Sequence, residues 1–317
     1  MTALGYRSAP TLLYSLISST YNEHMETTPN DILIVCYSGT GCSELVARTL
    51  AGAFEAQGST AQMRMLRHGQ PQDTPPHDLL VVVYAVHACN APQAVYDWIA
   101  GVADGAGRPA AVLSVSGGGE VSPNTACRVG CIRRLRRKGY DVRYDRMVVM
   151  PSNWIVATAE PLAVKLLEAL PGHMSRVAAD LLSGVVRHSQ PLFWDRALSA
   201  LGELEKPGAR LFGRHLRSKS SCTGCGWCAQ HCPAGNIAMR SGRPVFGAKC
   251  HLCLCCVYGC PRHAIRPALA RFVAIPQGFS LAELQAKTPW PSAVDIPALT
   301  RGYLWSGVRK YLLNPDD

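Results

Sequence analysis

The apolar positions of the chain form short continuous runs that alternate with amphipathic segments. Four segments are predicted strands: residues 31–37, 79–86, 110–116 and 141–150. The first two have the apolar composition of strands buried in a parallel sheet. Helical periodicity follows each of them, over a segment from about 43 to the stop at Gly58, then 92–102, 123–138, and 160–188 with a break near Pro171. Strands and helices that alternate at this spacing predict an α/β fold with a doubly wound parallel sheet.

The remaining segments carry weaker patterns. Residues 191–217 are predicted to form a linker helix that lies against the first domain, with apolar positions at Leu192, Trp194, Leu198, Leu201 and Leu204. Residues 1–30 are polar without a clear period, so we expect an N-terminal extension in which Met25 is an alternative start to Met1. Residues 269–317 contain proline and aromatic residues but no recognisable chemistry, and we expect a tail that packs against either domain.

Two cysteine runs in the C-terminal half share the spacing C-x-x-C-x-x-C-x-x-x-C-P. This is the spacing of bacterial ferredoxins, in which three cysteines bind one [4Fe–4S] cluster and the fourth binds the other cluster. The sequence therefore predicts two clusters, and residues 218–268 are predicted to be a small α+β bacterial-type 2[4Fe–4S] ferredoxin domain. We assign the first cluster to Cys222, Cys225, Cys228 and Cys260, and the second to Cys250, Cys253, Cys256 and Cys232.

Other interpretations of the cysteines are weaker. A pair of zinc sites would need four ligands each but no fixed repeat of this kind. A disulfide framework is typical of short secreted domains, whereas this chain is long and shows no signal peptide. Cys255 is a ninth cysteine inside the second run. We interpret it as a small apolar residue beside the cluster, although it is also an alternative ligand to Cys256.

Composition limits the class of protein. A chain of 317 residues is long enough for two domains, and 48% hydrophobic residues support an ordinary buried core. No apolar run is long enough to span a membrane, and residues 11–18 are too short for the core of a signal peptide. Fourteen cysteines, most of them in cluster motifs, predict a reducing compartment, the cytoplasm.

The net charge of +10 is unevenly distributed. Residues 1–190 contain 16 Lys and Arg against 15 Asp and Glu, whereas residues 191–317 contain 16 against 7. Each oxidised cluster with four thiolates carries a charge of about −2, so part of the positive excess offsets buried negative charge. The rest suits an acidic redox partner protein. No basic stripe with interleaved aromatic residues is present, so we do not predict nucleic-acid binding.

A loop of small polar residues follows the first predicted strand: Ser38, Gly39, Thr40, Gly41, Cys42 and Ser43. A strand, a short Gly/Ser/Thr loop and a helix place backbone N–H groups and hydroxyls around a phosphate at the helix N-terminus. The loop is neither a Walker motif nor G-x-G-x-x-G. The alternative is an ordinary turn between strand and helix. Ligands of doubly wound sheets bind beyond the carboxyl ends of the strands, where loops 38–43, 84–92 and 114–120 meet.

These loops resemble those of a known family. The first resembles the flavodoxin phosphate loop, and two others resemble the flavin-ring loops: Tyr84, Ala85 and Asn90, then Ser114, Ser116, Gly117, Gly118 and Gly119. The chain from 31 to 317 is similar to flavodoxin–ferredoxin fusions of the EFR-type ferredoxin family, including a tail like 305–312. The resemblance implies a flavodoxin-like FMN-binding domain over 31–190 and cytoplasmic electron transfer.

Some residues depart from that pattern or have two interpretations. Flavodoxins often stack aromatic side chains on the flavin ring, but loop 114–120 has none, and Trp154 is a substitute. His87 and Cys89 fall in a ring loop and either contact the flavin or, as we favour, simply pack. For Cys42 we favour a role of its backbone N–H in the loop over a reactive thiol. For Cys127 and Cys131 we favour a buried helix face over a metal site or a disulfide. For the basic run at 133–138 we favour a solvated face over a docking patch.

The sequence thus predicts an iron–sulfur flavoprotein without a triad or paired-carboxylate site. We favour an electron-transfer protein that supplies low-potential electrons to a partner redox enzyme. The alternative is a flavoenzyme that reduces a small organic substrate, such as a quinone, with the clusters as its electron supply.

Overall fold

The computed structural model describes residues 28–202 and 205–314, with no side chains described for 201–206. Five strands form one parallel sheet in the order β2–β1–β3–β4–β5. They are β1 (Asp31–Tyr37), β2 (Thr60–Met65), β3 (Leu79–Ala85), β4 (Pro109–Ser116) and β5 (Asp141–Val149). This is the flavodoxin-like strand order, so the predicted doubly wound α/β fold is confirmed.

The sequence pattern did not reveal β2. This strand lies at the sheet edge, and its residues are half-buried or exposed rather than fully covered. Gln62 and Arg64 interrupt its apolar positions, so it lacks the continuous apolar run of the inner strands β1, β3 and β4. Partial exposure explains why the run-based prediction missed β2, since β5 at the opposite edge is mostly buried and was predicted.

Four helices cover the two faces of the sheet: α1 (Cys42–Glu55), α2 (Gln93–Gly101), α3 (Val129–Arg137) and α4 (Glu160–Leu182). Helices α1 and α4 pack on one face, with Phe54 and Met174 among the fully buried side chains. Helices α2 and α3 pack on the other, through residues such as Ile99 and Leu135. The carboxyl ends of all five strands therefore open at one edge, beyond the two helical layers.

Two helix predictions differ from the structure. Helix α4 is continuous through Pro171 and ends at Leu182, so the predicted break is wrong. The ring costs one backbone hydrogen bond, but Leu170 and Met174 on either side are buried in the core and hold the helix in register. Helix α3 begins at Val129 rather than near 123, because residues 122–128 form turns.

The predicted linker helix is two helices, α5 (Phe193–Gly202) and α6 (Glu205–Arg214). The expected apolar contact is wrong: Leu192, Trp194 and Leu198 are exposed, and the buried residues of α5 are Asp195 and Ser199. Asp195 accepts hydrogen bonds from the side chains of Ser122 and Thr125, and from the backbone N–H of Thr125. A polar anchor therefore positions this helix. The positions expected at Leu201 and Leu204 lie outside the residues whose side chains are described.

The cysteine-rich segment forms a small α+β unit with its own core. It contains β6 (Leu216–Ser218), α7 (Trp227–Gln230), β7 (Ile237–Arg240), β8 (Arg243–Phe246), α8 (Cys255–Tyr258) and β9 (Ile265–Pro267). Strands β6 and β9 pair antiparallel, as do β7 and β8. Leu216 of β6 and Ile265 of β9 share one buried cluster with Cys228 and Cys260, so this strand pair covers cysteines from both runs.

The C-terminal segment returns to the parallel sheet. It contains α9 (Leu281–Ala286), α10 (Ile296–Leu299) and α11 (Ser306–Leu313). Val308 and Tyr311 of α11 join the core on the α1–α4 face, and the Tyr311 ring stacks on His173 with centroids 4.0 Å apart. Among the described helices, none combines the length and apolar character needed to cross a bilayer. The predicted extension over 1–30, including Met25, lies almost wholly outside the described residues.

Candidate redox cofactor site

Four cysteines from both runs line one small cavity of the cysteine-rich unit: Cys222, Cys225, Cys228 and Cys260. Cys228 and Cys260 are buried, whereas Cys225 is exposed. Burial raises the pKa of the Cys228 thiol, and the neighbouring Cys260 and Cys222 raise it further. The structure therefore brings together the three spaced cysteines of the first run and the last cysteine of the second.

The other four predicted ligands form a second set: Cys232, Cys250, Cys253 and Cys256. Burial raises the pKa of the Cys250 thiol to about 12, and Cys253 and Cys232 act on it in the same direction. Because these thiols repel one another as thiolates, bound cations are needed to hold all four deprotonated. Within the described residues, no three or more His, Cys, Asp or Glu side chains are arranged to hold a single metal ion.

Backbone N–H groups point at several of these sulfurs. Asn236 N–H donates to Cys232 Sγ, Leu252 N–H to Cys250 Sγ and Ala264 N–H to Cys260 Sγ, each at 3.3 Å. Hydrogen bonds of this kind lower the electron density on cluster thiolates and tune their reduction potentials. Cys255 instead donates to the carbonyl of His231 at 3.4 Å, which gives its thiol a partner within the protein.

A cavity of about 460 Å³ opens at the carboxyl ends of β1, β3 and β4. This lies within the size range of small-molecule sites in proteins. Parts of all three predicted loops line it, namely Ser38, Gly39, Thr40, Cys42 and Ser43, then Ala85, His87 and Cys89, and finally Ser116, Gly117 and Gly118. The structure thus assembles the loops that the sequence singled out around one space.

The loop after β1 has the features of an anion site. Gly41 adopts a left-handed conformation (φ 99°) and precedes α1 without a side-chain cap, so the first N–H groups of the helix are available. Ser38 Oγ accepts from Gly41 N–H at 3.2 Å. Ser43 Oγ is buried and has no hydrogen-bond partner in the protein. An unpartnered buried hydroxyl beside a helix N-terminus fits a phosphate group.

Cys42 completes this loop as a packed thiol. Burial raises its pKa to about 12, and the nearest acceptor is the carbonyl of Pro151 at 3.9 Å. The helix N-terminus does not offset this burial, so the residue is not an activated nucleophile. Burial also raises the pKa of Cys127 to about 11 and that of Cys131 to about 12. Cys131 lies on the buried face of α3, whereas Cys127 lies in the turns before the helix, so the two thiols do not share a helix face as predicted.

Four of the predicted ring-loop residues do not line the cavity. Tyr84 is fully buried and donates to the carbonyl of Cys127 at 3.2 Å, while Ser114 accepts from Arg128 at 2.8 Å. The Asn90 side chain donates to the Ser199 carbonyl at 2.5 Å and accepts from Tyr96. Gly119 packs against the backbone of Gly307. These residues hold the loops in place, whereas Ala85, Ser116, Gly117 and Gly118 face the space between them.

His87 and Cys89 both border the cavity. They belong to a tight turn in which the backbones of Ala88 and Cys89 have positive φ angles. The backbones of His87 and Asn90 exchange hydrogen bonds at 2.8 and 2.9 Å. Burial lowers the pKa of His87 to about 4, so its ring is neutral near pH 7. Its edge meets the Tyr37 ring at a centroid distance of 5.8 Å.

Several residues that line the cavity were not among the predicted cofactor-binding residues. They are Asn153 and Ile155 after β5, Leu252 and Leu254 of the second cysteine run, and Leu304 and Trp305 of the C-terminal segment. Asn153 donates to Thr40 Oγ1, and its carbonyl accepts from Tyr258 of the cysteine-rich unit at 2.8 Å. Trp154, which the sequence offered as a stacking residue, also lines the cavity and is 40% exposed.

The cavity and the second cysteine set share a wall. A Cβ atom placed on Gly39 would lie 2.7 Å from both the Cβ and the carbonyl oxygen of Cys253. Tyr37, at the end of β1, shares a hydrogen bond with His251 Nδ1 at 3.1 Å. Burial raises the pKa of Tyr37 well above its ordinary value, and the negative charge of Cys253 adds to this effect. Loop 38–43 therefore rests directly on a cysteine of the second set.

The basic run at 133–138 is largely engaged in structure. The Arg134 guanidinium lies over the Tyr96 ring at 3.9 Å, and Arg136 donates to the carbonyl of Val142 at 2.9 Å. Lys138 donates to the carbonyl of Val102 at 3.1 Å. Arg133 and Arg137 are exposed. The run is thus partly a solvated face and partly a set of local anchors.

Comparison with known proteins supports the cysteine-rich unit. A family model described as a 4Fe-4S binding domain matches residues 217–238, which contain the first cysteine run. The second run lies beyond that match. No curated protein matches the sequence.

Solved structures similar to this chain include several flavodoxins. A Streptococcus pneumoniae flavodoxin is 15% identical, with 49% of this chain and 99% of that chain covered and a TM-score of 0.36. Flavodoxin 2 from Bacillus cereus gives the same four values. General stress protein 14 from Treponema denticola, in complex with FMN, is 18% identical over 53% of this chain and 99% of its own, with a TM-score of 0.30. The fold assignment rests on the strand order rather than on these scores.

The protein therefore consists of a flavodoxin-like α/β domain followed by a segment that matches 4Fe-4S binding domains. Membership of the EFR-type family remains a prediction from the motifs.

Proposed function

We propose that this chain is an iron–sulfur flavoprotein that transfers electrons between two [4Fe–4S] clusters and FMN and supplies low-potential electrons to a partner redox enzyme. The observation that carries the proposal is the contact between Gly39 and Cys253. A loop suited to a cofactor phosphate and a cysteine suited to a cluster touch without an intervening side chain. Redox groups held on either side of that wall would be close neighbours.

The residues present fit both kinds of group. The cubane ligands would be the two cysteine sets, Cys222, Cys225, Cys228 and Cys260, and Cys232, Cys250, Cys253 and Cys256. Loop 38–43, with its unpartnered Ser43 hydroxyl, would hold the FMN phosphate. Ala85, Ser116, Gly117 and Gly118 would border the ring, with Trp154 and Trp305 as its aromatic neighbours.

FMN, when bound, exchanges one or two electrons and so can link one-electron carriers to a two-electron donor or acceptor. The chain's own contribution is to fix the two sites against each other. Tyr37 binds His251, Asn153 binds Thr40 and Tyr258, and His68 N–H binds the carbonyl of Pro233 at 2.8 Å. The net charge of +10 supports an acidic protein as the partner, and the cysteine content supports the cytoplasm as the compartment.

A second function has its own support. Apolar side chains at the edge of the cavity are exposed, with fractions of 40% for Trp154, 43% for Ile155 and 53% for Leu304. An open apolar rim suits a small organic substrate, such as a quinone, as well as it suits a protein partner. Electron supply by the clusters to a flavin-dependent reductase is therefore the alternative.

The test is the cofactor content of the full chain purified without oxygen. About eight iron, eight sulfide and one FMN per chain would support both halves of the proposal. Eight iron with no flavin after FMN is added back would overturn the flavin half. The two functions are then separated by the rate of quinone reduction and the rate of reduction of an added redox protein. An electron carrier should reduce the protein faster, and a flavin-dependent reductase should reduce the quinone faster.

A further inference from the structure

A second, larger cleft of about 910 Å³ lies beside the same cysteine run. Successive residues of this run face different spaces: Cys250 and His251 line the large cleft, whereas Leu252 and Cys253 line the cavity at the strand ends. The other walls of the cleft are the loop after β2, helix α2, helix α6 and the turn after Cys232.

Close backbone contacts fix these walls. A Cβ atom on Gly213 of α6 would overlap the Cβ of Cys250, so the helix lies directly on the second cysteine run. A Cβ atom on Gly235 would lie 2.5 Å from the ring of His68, and His68 N–H donates to the carbonyl of Pro233 at 2.8 Å. The cleft is thus a permanent feature of the packing between the two units.

The charged side chains of the cleft are mostly positive. Arg210 and Arg214 are four residues apart on one face of α6, and Lys249 belongs to the cysteine-run segment that packs on this helix. All three are exposed, and no hydrogen bond or ion pair of their side chains is recorded among the described residues. Among the described lining residues, Asp97 is the one carboxylate, and it accepts from Gln93 Nε2 at 2.5 Å.

Three residues of the cleft wall carry buried polar atoms that have no hydrogen-bond partner: Arg67 Nε, Gln93 Oε1 and Trp98 Nε1. Buried polar atoms of native proteins usually have a hydrogen-bond partner, and a molecule bound at this wall would be in position to supply one. Two of the atoms are donors and one is an acceptor. Their partner must therefore offer acceptors and at least one donor close to an apolar surface, as a nucleobase does.

We propose that this cleft binds a nucleotide, with its phosphates at Arg210, Arg214 and Lys249 and its base toward Gln93 and Trp98. Guanidinium groups bind phosphates through paired hydrogen bonds, and the aromatic and amide groups deeper in the cleft suit a planar heterocycle. The concave shape favours a small molecule over the flat surface of a protein. The site is distinct from the FMN cavity, although His87 borders both.

The experiment measures ADP binding by calorimetry to the full chain, purified without oxygen and with its iron content verified. Arg210→Ala with Arg214→Ala is expected to weaken ADP and pyrophosphate by at least about tenfold for each arginine, since each loses a charge-assisted hydrogen bond. The matched control is Arg133→Ala with Arg137→Ala, which removes two exposed arginines at the same spacing from α3, outside this cleft, and should leave ADP affinity unchanged.

Trp98→Phe tests the deeper part of the cleft and keeps the proposal decidable if the α6 variant loses its iron. It removes the indole N–H and should weaken ADP and adenosine while leaving pyrophosphate affinity unchanged. The proposal is overturned if ADP does not bind, or if ADP binds equally well to the wild type and to both the α6 and Trp98 variants. Binding of polyglutamate without ADP binding would also overturn it, because the cationic wall would then be a protein-docking surface.

Discussion

Gly39 and Cys253 meet so closely that a single added methyl group at Gly39 would lie 2.7 Å from two atoms of the cysteine. The backbone of the phosphate-type loop and that of the second cysteine run are therefore in direct contact. This contact sets the separation of the two proposed cofactor sites, because neither loop can approach further and neither has a flexible side chain that could yield.

Gly39→Ala should disrupt this contact. The new methyl group meets backbone as well as side-chain atoms of Cys253, so we expect a loss of about 1–3 kcal/mol in the free energy of unfolding, as for other overpacked positions. Urea unfolding followed by far-UV circular dichroism measures it. The control is Gly52→Ala in α1, where a Cβ meets no atom within 4 Å and helix propensity should raise stability by about 0.4–1 kcal/mol. Equal stability of the Gly39 variant and the wild type would show that the loops separate freely.

Ser43→Ala should weaken FMN binding selectively. The buried Ser43 hydroxyl lacks a partner in the protein and would donate to the FMN phosphate, a bond worth roughly 1.5–3 kcal/mol or about tenfold or more in Kd. Riboflavin carries no phosphate and serves as the internal control, so its affinity should stay the same. Fluorescence titration of both flavins against both proteins measures the difference. An equal loss for the two flavins would place the phosphate elsewhere.

In the proposed ligand sets, the fourth cysteine of each run binds the cluster of the other run, and this predicts which cysteine variants have the same defect. Cys232→Ser and Cys256→Ser should perturb the same cluster and give matching electron paramagnetic resonance spectra after reduction, whereas Cys260→Ser should match Cys222→Ser. Each variant should lose up to about four of eight iron atoms per chain.

The matched control for this series is Cys255→Ser. The Cys255 thiol donates to the His231 carbonyl, so this variant should retain the full iron content. If the spectra of Cys232→Ser instead matched those of Cys222→Ser, each run would supply its own four ligands.

Asp145→Asn should destabilise the flavodoxin-like domain strongly. Arg128 Nε donates to Asp145 Oδ1 at 2.7 Å, and the two side chains are only 2% and 3% exposed. Loss of the carboxylate leaves the buried guanidinium with Glu120, itself 40% exposed, as its remaining charge partner, which we expect to cost up to about 3–5 kcal/mol. The control is Asp141→Asn on the same strand, whose pair with Arg143 is 38–47% exposed and should contribute under about 1 kcal/mol. A similar small loss for both variants would contradict the buried-pair argument.

The same pair predicts a pH dependence. Burial by itself raises the pKa of Asp145, but the charge of Arg128 and the hydrogen bonds from Ser189 outweigh it and hold the pKa below its usual range. The stabilisation is therefore fully present above the unfolded value of about 3.9 and is lost as pH falls through the folded pKa. His188 Nδ1 lies 3.4 Å from Asp145 Oδ2, and a proton on this ring can only add to the stability of the wild type. The stability advantage of the wild type over Asp145→Asn should therefore not shrink from pH 8 to about pH 5. A difference that shrinks within that window would mean that the folded pKa is not depressed.

Sequence patterns predicted the inner strands β1, β3 and β4 because they are buried on both faces and need continuous apolar runs, as in Ile32 to Tyr37. The cysteine sets follow equally from local spacing. Contacts between distant segments have no such signature. Asp195 and Ser199 anchor α5 through polar partners, while the apolar residues that a helical pattern would bury, such as Trp194, face outward.

The cavity likewise has some residues that the sequence could predict and others that it could not. Loops 38–43 and 114–120 could be located from strand ends, since parallel strands bring those loops together. Trp305 and Leu254 could not, because they reach the cavity only through the packing of the cysteine-rich unit and the C-terminal segment on the sheet. Their positions depend on tertiary contacts that have no periodicity along the chain.

The return of α11 to the sheet has a consequence for biosynthesis. Trp305 completes one wall of the cavity, and Val308 and Tyr311 enter the core of the domain that the ribosome releases first. The flavodoxin-like domain therefore emerges with one face of its core uncovered and its cavity open. Both are completed only after the cysteine-rich unit and the C-terminal segment have been synthesised, so the first domain is finished by a segment that follows the second unit along the chain.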